Sequence, residues 1–405
     1  MTRDQRQIQS LNAWAVQGYQ GCLQAVTGFG KTRVAMMGIR GLRKKGLIDT
    51  ATVTVPTIVL KEQWEEELQA FGLADFTTVV VNNTAAMRPS EFGCDLLICD
   101  EVHTVPTDTR DVILDIEHEY FLGLSATIKR QDGRHEDILD RYAIFDIVTF
   151  EQCLEHGWIS PYKVYNVPVM MTLKDMSEYT KANNQFRHVA SQISAYGPDT
   201  LHLANSWRNH SDRAKQALAG RYYNTMRKRK DLCINNINKI DIVKNIVSLC
   251  SDRYGIIFSQ SVGFADQITD QLGERAVTFH SKIGKKKQRE ILEDFKDPET
   301  STRIISSVQA LDAGFDFVDL SLAVVAAGYS SKLTNVQRIG RTVRAKEGKE
   351  ALIINLYSKD TQEQRWLEKR QKGTKNVTEI SEDDLIDLLK HENNSELCSS
   401  GSIDS

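Results

Sequence analysis

The sequence lacks a membrane-length apolar run, a Cys-x-x-Cys pair, an internal repeat and a dominant net charge, and each absence narrows what the chain is. Its longest apolar stretches, such as Leu320 to Gly328, are strand-sized, well short of the ~20 residues a membrane span needs. Met1-Thr2-Arg3-Asp4-Gln5-Arg6 leads into no apolar signal core, so the expected setting is the cytoplasm, with no membrane partner. The seven cysteines, Cys22, Cys94, Cys99, Cys153, Cys233, Cys250 and Cys398, form no paired framework. That argues against a disulfide scaffold or zinc site and predicts reduced, mostly buried thiols. A net charge of -3 neither demands nor excludes a polyanionic partner. Local basic runs do exist, at Arg40 to Lys45, Arg221 to Lys230 and Lys282 to Arg289; such runs are more often solvated helix faces than phosphate contacts.

What is present is an alternation of short β-branched runs with amphipathic stretches, in two segments, which predicts parallel sheets covered by helices. The first segment places strands at Cys22 to Val26, Ala51 to Val55, Thr77 to Val81, Asp95 to Cys99 and Phe121 to Leu124. The second places them at Tyr254 to Phe258, Ala276 to Phe279, Thr302 to Ser306, Leu322 to Ala326 and Ala351 to Leu356. Between them the pattern predicts helices over 177–195 and 206–230. The expected organisation is a first domain over 1–158, a helical linker or insertion over 159–237, a second domain over 238–372 and an acidic tail over 373–405. That tail holds one short helix, 382–391, before a disordered end. A chain of 405 residues has room for this.

The strongest local signal is Ala25-Val26-Thr27-Gly28-Phe29-Gly30-Lys31-Thr32, directly after a predicted strand and opening a predicted helix. Glycines let the backbone wrap an anion, successive N–H groups and the helix N-terminus point at its oxygens, Lys31 reaches the β- and γ-phosphates and Thr32 can ligate magnesium. A glycine-rich turn with an incidental lysine is the bland alternative, which the strand before and helix after weigh against. Next, Leu96-Leu97-Ile98-Cys99-Asp100-Glu101-Val102-His103 ends an apolar strand in two carboxylates. Two buried carboxylates are costly unless something pairs them, and a magnesium nucleotide at the carboxyl edge of a parallel sheet does so. Asp100 is the candidate metal carboxylate, Glu101 the candidate base and His103 a candidate coupling residue. Ser125-Ala126-Thr127 closes another strand and offers Ser125 and Thr127 as further coupling groups.

These three motifs, in this order, resemble the superfamily 2 helicases of the Asp-Glu-x-His type. The second half extends the resemblance. Val308-Gln309-Ala310-Leu311-Asp312-Ala313-Gly314-Phe315-Asp316 looks like the family's fifth motif, and Gln337-Arg338-Ile339-Gly340-Arg341-Thr342-Val343-Arg344 is similar to the sixth. Val55 to Leu60 with Gln63-Trp64 is similar to motif Ia and its following helix. Ser125 to Gly133 and Ile159 to Tyr162 are closest to the branch with repair translocases, restriction-enzyme motor subunits and phage branch-migration helicases, which suggests a prokaryotic or phage-infected cell. The resemblance covers roughly residues 1 to 370. It implies two tandem RecA-like domains, an α/β fold, that clamp ATP and Mg2+ and walk on nucleic acid. Lys31, Asp100, Glu101, Gln337, Arg341 and Arg344 would be catalytic, with Arg341 and Arg344 as arginine fingers; Gly314 and Asp316 would join the nucleotide-binding set, and Pro56, Thr57 and Ser307 would touch the track. The family's adenine-reading glutamine is either Gln5 or Gln9. DNA is the expected track, RNA the alternative, and a non-catalytic ATP-switched nucleic-acid-binding subunit the reading of another class.

Overall fold

The computed structural model of the chain describes residues 1–130, 132–308, 320–328, 350–371 and 377–400, the last eight by their backbone alone. It divides into two compact units, the first made mainly of Met1–Tyr162 and the second mainly of the chain from Lys163 onward.

In the first unit the order is α1 (Arg3–Val16), β1 (Gln20–Ala25), α2 (Lys31–Lys44), β2 (Ala51–Val55), α3 (Ile58–Phe71), β3 (Thr77–Val81), α4 (Asn82–Met87), β4 (Leu96–Asp100), β5 (Tyr120–Ser125), α5 (Glu136–Leu139), β6 (Ile144–Val148) and α6 (Phe150–Glu155). The strands form one sheet in the order β3-β2-β4-β5-β1-β6, and every neighbouring pair is parallel. Parallel strands covered on both faces read as continuous apolar runs. Accordingly β2 and β4 are buried along their whole length. The five expected strands become six by the addition of Ile144–Val148, whose mixed pattern of half-buried residues hid its period.

Helix α1 begins with a capping box: Thr2 Oγ1 accepts from Gln5 N and Gln5 Oε1 accepts from Thr2 N. It is pinned to β6 by Arg6, which donates bidentately to Asp146 at 2.6 and 2.7 Å, while Ser10 Oγ donates to the same carboxylate at 2.6 Å. Trp14, 1% exposed, donates its indole N–H to the Phe121 carbonyl.

The second unit runs β7 (Tyr162–Val169), α7 (Leu173–Ser194), α8 (Thr200–Ser206), α9 (Arg213–Ile234), α10 (Asn238–Leu249), β8 (Tyr254–Ser259), α11 (Val262–Leu272), β9 (Ala276–His280), α12 (Lys285–Lys296), β10 (Ile304–Val308), β11 (Leu320–Val325), β12 (Ala351–Ser358), α13 (Gln362–Gln371), β13 (Val377–Glu379) and α14 (Glu382–Ser400). Its sheet order is β13-β7-β12-β11-β8-β10-β9. The pairs β8–β10, β9–β10, β11–β12 and β7–β13 are parallel. Residues 162–169, read from sequence as part of a connection, are therefore a strand of the second sheet. The helices α7 to α9 follow that strand, inside the second unit rather than between the two. They carry a small core of their own built on Val189, Ile193, Ala204, Trp207, Ala219 and Tyr222. The last helix continues to Ser400 instead of stopping near 391. A buried Lys239–Glu363 pair, at 2.7 Å, braces the carboxyl ends of β11 and β12, because Lys239 Nζ also donates to the Ala326 carbonyl and Glu363 accepts from Ser358 N.

Several residues of the first two basic runs make contacts within their own units, whereas Lys282, Lys285, Lys286, Lys287 and Arg289 of the third are exposed. Arg40 donates to the Phe71 carbonyl and Arg43 to the Asp49 carbonyl; Arg43 also lies 3.6 Å from the centre of the Phe76 ring and Lys45 donates to the Tyr19 hydroxyl. In the second unit Lys228 pairs with Glu178 at 3.0 Å, and Arg229, half-buried, bonds Asn183 and covers the Phe186 ring.

Burial works to raise the Asp146 carboxyl, but the Arg6 and Ser10 hydrogen bonds outweigh it and hold it below its ordinary value of 3.8. A depressed carboxylate contributes stability above its unfolded value, and that contribution is lost as pH falls through the folded value. Asp146→Asn is expected to cost about 2 kcal/mol at neutral pH, the scale of a hydrogen bond to a charged group. The gap from the parent protein should close as pH drops below 3.8. Urea unfolding at a series of pH values checks this; a gap independent of pH would contradict it.

Candidate functional site

The site grows from register. Across the parallel strands β4, β5 and β1, Asp100 lies level with Leu124, and Leu124 with Leu23; one step further Ser125 lies level with Gln24. Parallel strands end at the same edge, so the loop that follows Ala25 and the turn that follows Asp100 emerge side by side, with Ser125 between them. This is the crevice outside the carboxyl ends of the strands where α/β sheets hold ligands.

The loop from Val26 to Gly30 leads straight into α2. Gly28 and Gly30 take φ of 92° and 91°, a left-handed region that costs other residues strain. Gly30 is the N-cap of α2, and no side chain caps that helix, which leaves its first-turn N–H groups directed at the crevice. Phe29 is fully buried against Trp158, with ring centres 6.0 Å apart, and a Cβ on Gly28 would sit 3.2 Å from Ile159. Lys31 folds over the loop and donates to the Ala25 carbonyl at 3.1 Å. Val26, Thr27 and Thr32 lie on this same loop and first turn.

Asp100 is 6% exposed. Its Oδ2 accepts the Trp64 indole N–H at 2.9 Å and its Oδ1 accepts the Glu101 amide at 2.9 Å. Burial first, then the neighbouring Glu101 charge, push its carboxyl up to about 6; the Trp64 bond and the charge of Lys31 pull the other way. Lys31 and Asp100 thus share one electrostatic field, as a magnesium-phosphate site requires. Glu101 takes φ 48°, which turns the chain sharply and throws its carboxylate off the strand axis. His103 Nδ1 lies 2.8 Å from Ser125 Oγ and 3.3 Å from Glu101 Oε2. Because Ser125 Oγ already donates to the Thr127 carbonyl and accepts from Thr127 N, the geometry makes His103 Nδ1 the donor in this pair. Arg130 closes the arrangement with a bond to the His103 carbonyl at 2.5 Å.

The donor set fits a magnesium nucleotide. An uncapped helix start, a lysine, a threonine at the first turn and one buried carboxylate aligned on the loop supply what Mg2+, which keeps several waters, needs from protein. Among the described residues no cluster of three or more His, Cys, Asp or Glu forms a metal cage of its own.

Of the remaining expected residues, Pro56 and Thr57 lie at the carboxyl end of β2, next to β4, where Thr57 caps α3 by accepting from Leu60 N. Ser307 is buried in β10 of the second unit, and its hydroxyl has no hydrogen-bond partner among the described residues. Gln5 and Gln9 are both exposed, and Gln5 is occupied in the capping box. Between them Gln7, 1% exposed, donates to the Phe29 carbonyl at 2.8 Å, a loop contact that the sequence pattern does not single out. Its odd-numbered neighbours mask it in a glutamine-rich stretch. Gly314, Asp316, Gln337, Arg341 and Arg344 lie outside the described residues.

A parallel-sheet unit with a lysine loop and an Asp-Glu-x-His edge, followed by a second parallel-sheet unit, defines a nucleotide-driven motor of the RecA-like class. The comparisons narrow this. Residues 1–91 match the model for the res subunit of type III restriction enzymes, and residues 238–346 match the helicase conserved C-terminal domain. The chain is 28% identical over 388 residues to the "DNA 3'-5' translocase XPB2" of Sulfurisphaera tokodaii, covering 90% of this chain and 83% of that one. It is 22% identical over 403 residues to the "DNA 3'-5' helicase XPB" of Mycobacterium tuberculosis, covering 91% of this chain and 63% of that one. Among solved structures, S. cerevisiae Dbp5 bound to RNA and ADP BeF3 superposes with a TM-score of 0.61 at 14% identity, covering 92% and 89% of the two chains. These matches support a superfamily 2 helicase, related to repair translocases and restriction-enzyme motor subunits. No described helix is long and apolar enough to cross a membrane.

Replacing Gly30 by Ala places a Cβ 2.6 Å from Gln7 Nε2 at a left-handed φ. The strain of about 1–2 kcal/mol falls on the loop, so nucleotide affinity should drop by about tenfold. Fluorescent-ADP titration measures it, and unchanged affinity would show that the loop does not depend on this geometry.

Proposed function

We propose that the protein is an ATP-dependent DNA helicase or translocase that couples hydrolysis to unwinding or remodelling of DNA, branched DNA included, in recombination, repair or replication. The observation that carries this reading is the convergence of Lys31, Thr32, Asp100 and Glu101 on one edge of the first sheet, with Asp100 in the field of Lys31. DNA rather than RNA is favoured because the curated relatives are named for DNA; the RNA-bound structure shares only the fold.

Within this reading the loop amides and Lys31 bind the phosphates, and Thr32 and Asp100 hold magnesium. Magnesium held there would supply charge neutralisation to the phosphates. Glu101 orients a water and receives its proton, the ordinary work of a general base. His103 senses that event by its contacts with both Glu101 and Ser125, and Ser125 passes it to the Thr127 turn. Pro56 and Thr57 would contact the track backbone, where Thr57, although it caps α3, retains its hydroxyl proton as a donor for a phosphate oxygen; Ser307, expected to share that role, has its hydroxyl buried in β10 and does not present it to a track. Arg341 and Arg344 complete the charge on the transferred group.

The test is ATP turnover measured side by side with single-stranded DNA, duplex DNA, branched DNA and RNA. Stimulation by DNA is expected; stimulation by RNA alone would reverse the choice of track. Glu101→Gln should retain nucleotide binding and lose turnover by about 10²- to 10⁴-fold, the usual worth of acid–base catalysis. If the unmodified protein binds ATP yet shows no turnover on any nucleic acid, it is an ATP-switched binding subunit instead.

A further inference from the structure

Trp64 lies two turns into α3 and is 1% exposed. An indole is a large apolar ring with one N–H that must be satisfied when buried. Here its acceptor is not a carbonyl but Asp100 Oδ2, at 2.9 Å. With the Glu101 amide on Oδ1, the two bonds fix the plane of the carboxylate and leave each oxygen a further lone pair directed elsewhere. An indole N–H is a permanent donor that neither accepts nor titrates, so it holds the carboxylate in one orientation whatever else binds there.

The helix that carries Trp64 starts at the Thr57 cap, beside Pro56. Seven residues of α-helix span about 10 Å as a stiff rod. The candidate track contact and the candidate metal carboxylate are therefore joined by one helix and one hydrogen bond. We infer that Trp64 is a positioning residue: its indole orients the Asp100 carboxylate for magnesium and makes that orientation depend on the seat of α3. The inference rests on the reading of the site as a magnesium-nucleotide site and adds to it a mechanical input from the track. Outer groups that orient a metal ligand are typically worth 10- to 100-fold in metal affinity.

The experiment measures fluorescent-ADP affinity with and without Mg2+ in the unmodified protein and in Trp64→Phe, which keeps an aromatic ring, removes the donor and makes the side chain smaller. The readout is the ratio of the two affinities. In the variant the gain from Mg2+ should shrink by about tenfold or more. Single-stranded DNA should change the Mg·ADP affinity of the unmodified protein by a factor that moves toward one in the variant. An unchanged Mg2+ gain in a folded Trp64→Phe overturns the inference. Should the variant fail to fold, the unmodified protein labelled with 15N-tryptophan answers instead. The indole N–H signal that survives replacement of Trp14, Trp158, Trp207 and Trp366, one at a time, belongs to Trp64. It must move when Mg2+ is added to the ADP complex, and a stationary signal overturns the inference. Failure of the unmodified protein to bind ADP with or without Mg2+ would overturn the nucleotide reading itself, a result distinct from either.

Discussion

The architecture of the first unit depends on placing a carboxylate where a carboxylate is expensive. Asp100 ends an apolar strand at 6% exposure, and burial together with the Glu101 charge raises its pKa. The surroundings offset part of that cost with the Trp64 indole, the Glu101 amide and the Lys31 charge. None of the three neutralises it fully. A buried carboxylate whose charge is partly compensated is a group that a cation would stabilise further, which is why this edge of the sheet is the candidate binding site.

On the proposed reading, the lysine loop answers the opposite demand, for a cavity lined by donors. Its shape is held from behind by packing: Phe29 on Trp158, Gly28 against Ile159, Gln7 on the Phe29 carbonyl. Gln7 is itself placed by α1, which the Arg6–Asp146–Ser10 bonds fix to β6. The left-handed glycines then persist because the surrounding structure over-determines them, a pattern that belongs to functional loops. A chain of contacts from an edge strand through a helix to the loop holds the loop's shape.

How much of this the sequence discloses depends on range. The lysine loop, the Asp-Glu-x-His edge and the strand periods are local patterns; they lead to two parallel sheets without β6, β7 and β13, and the lysine loop and Asp100 emerge at the same edge of the first. Contacts distant in sequence do not show. Gln7 meets Phe29 only because α1 folds back, and in a stretch with Gln5, Gln9 and Arg6 nothing local singles it out. Trp64 is visible beside Gln63, yet its bond to Asp100 depends on the packing of α3 against β3 and β2. The strand Tyr162–Val169 escapes notice because its partners, β12 and β13, arrive nearly two hundred residues later. Ser307 is placed by motif, and its buried, unpartnered hydroxyl is not readable from composition.

The basic runs show why composition misleads about charge. Arg40, Arg43, Lys45, Lys228 and Arg229 are turned to carbonyls, rings and carboxylates within their own units. A cation held in this way contributes less to an external field than its count suggests, since its nearest counter-charge or π-face is already supplied. Groups that carry no formal charge, namely backbone amides, hydroxyls such as that of Thr57, and helix N-termini, can also bind phosphate. Those groups are fixed to the sheet edges, whereas lysine side chains are not. Contacts of that kind can hold a phosphate backbone in a definite position relative to α3, and a motor needs position more than attraction.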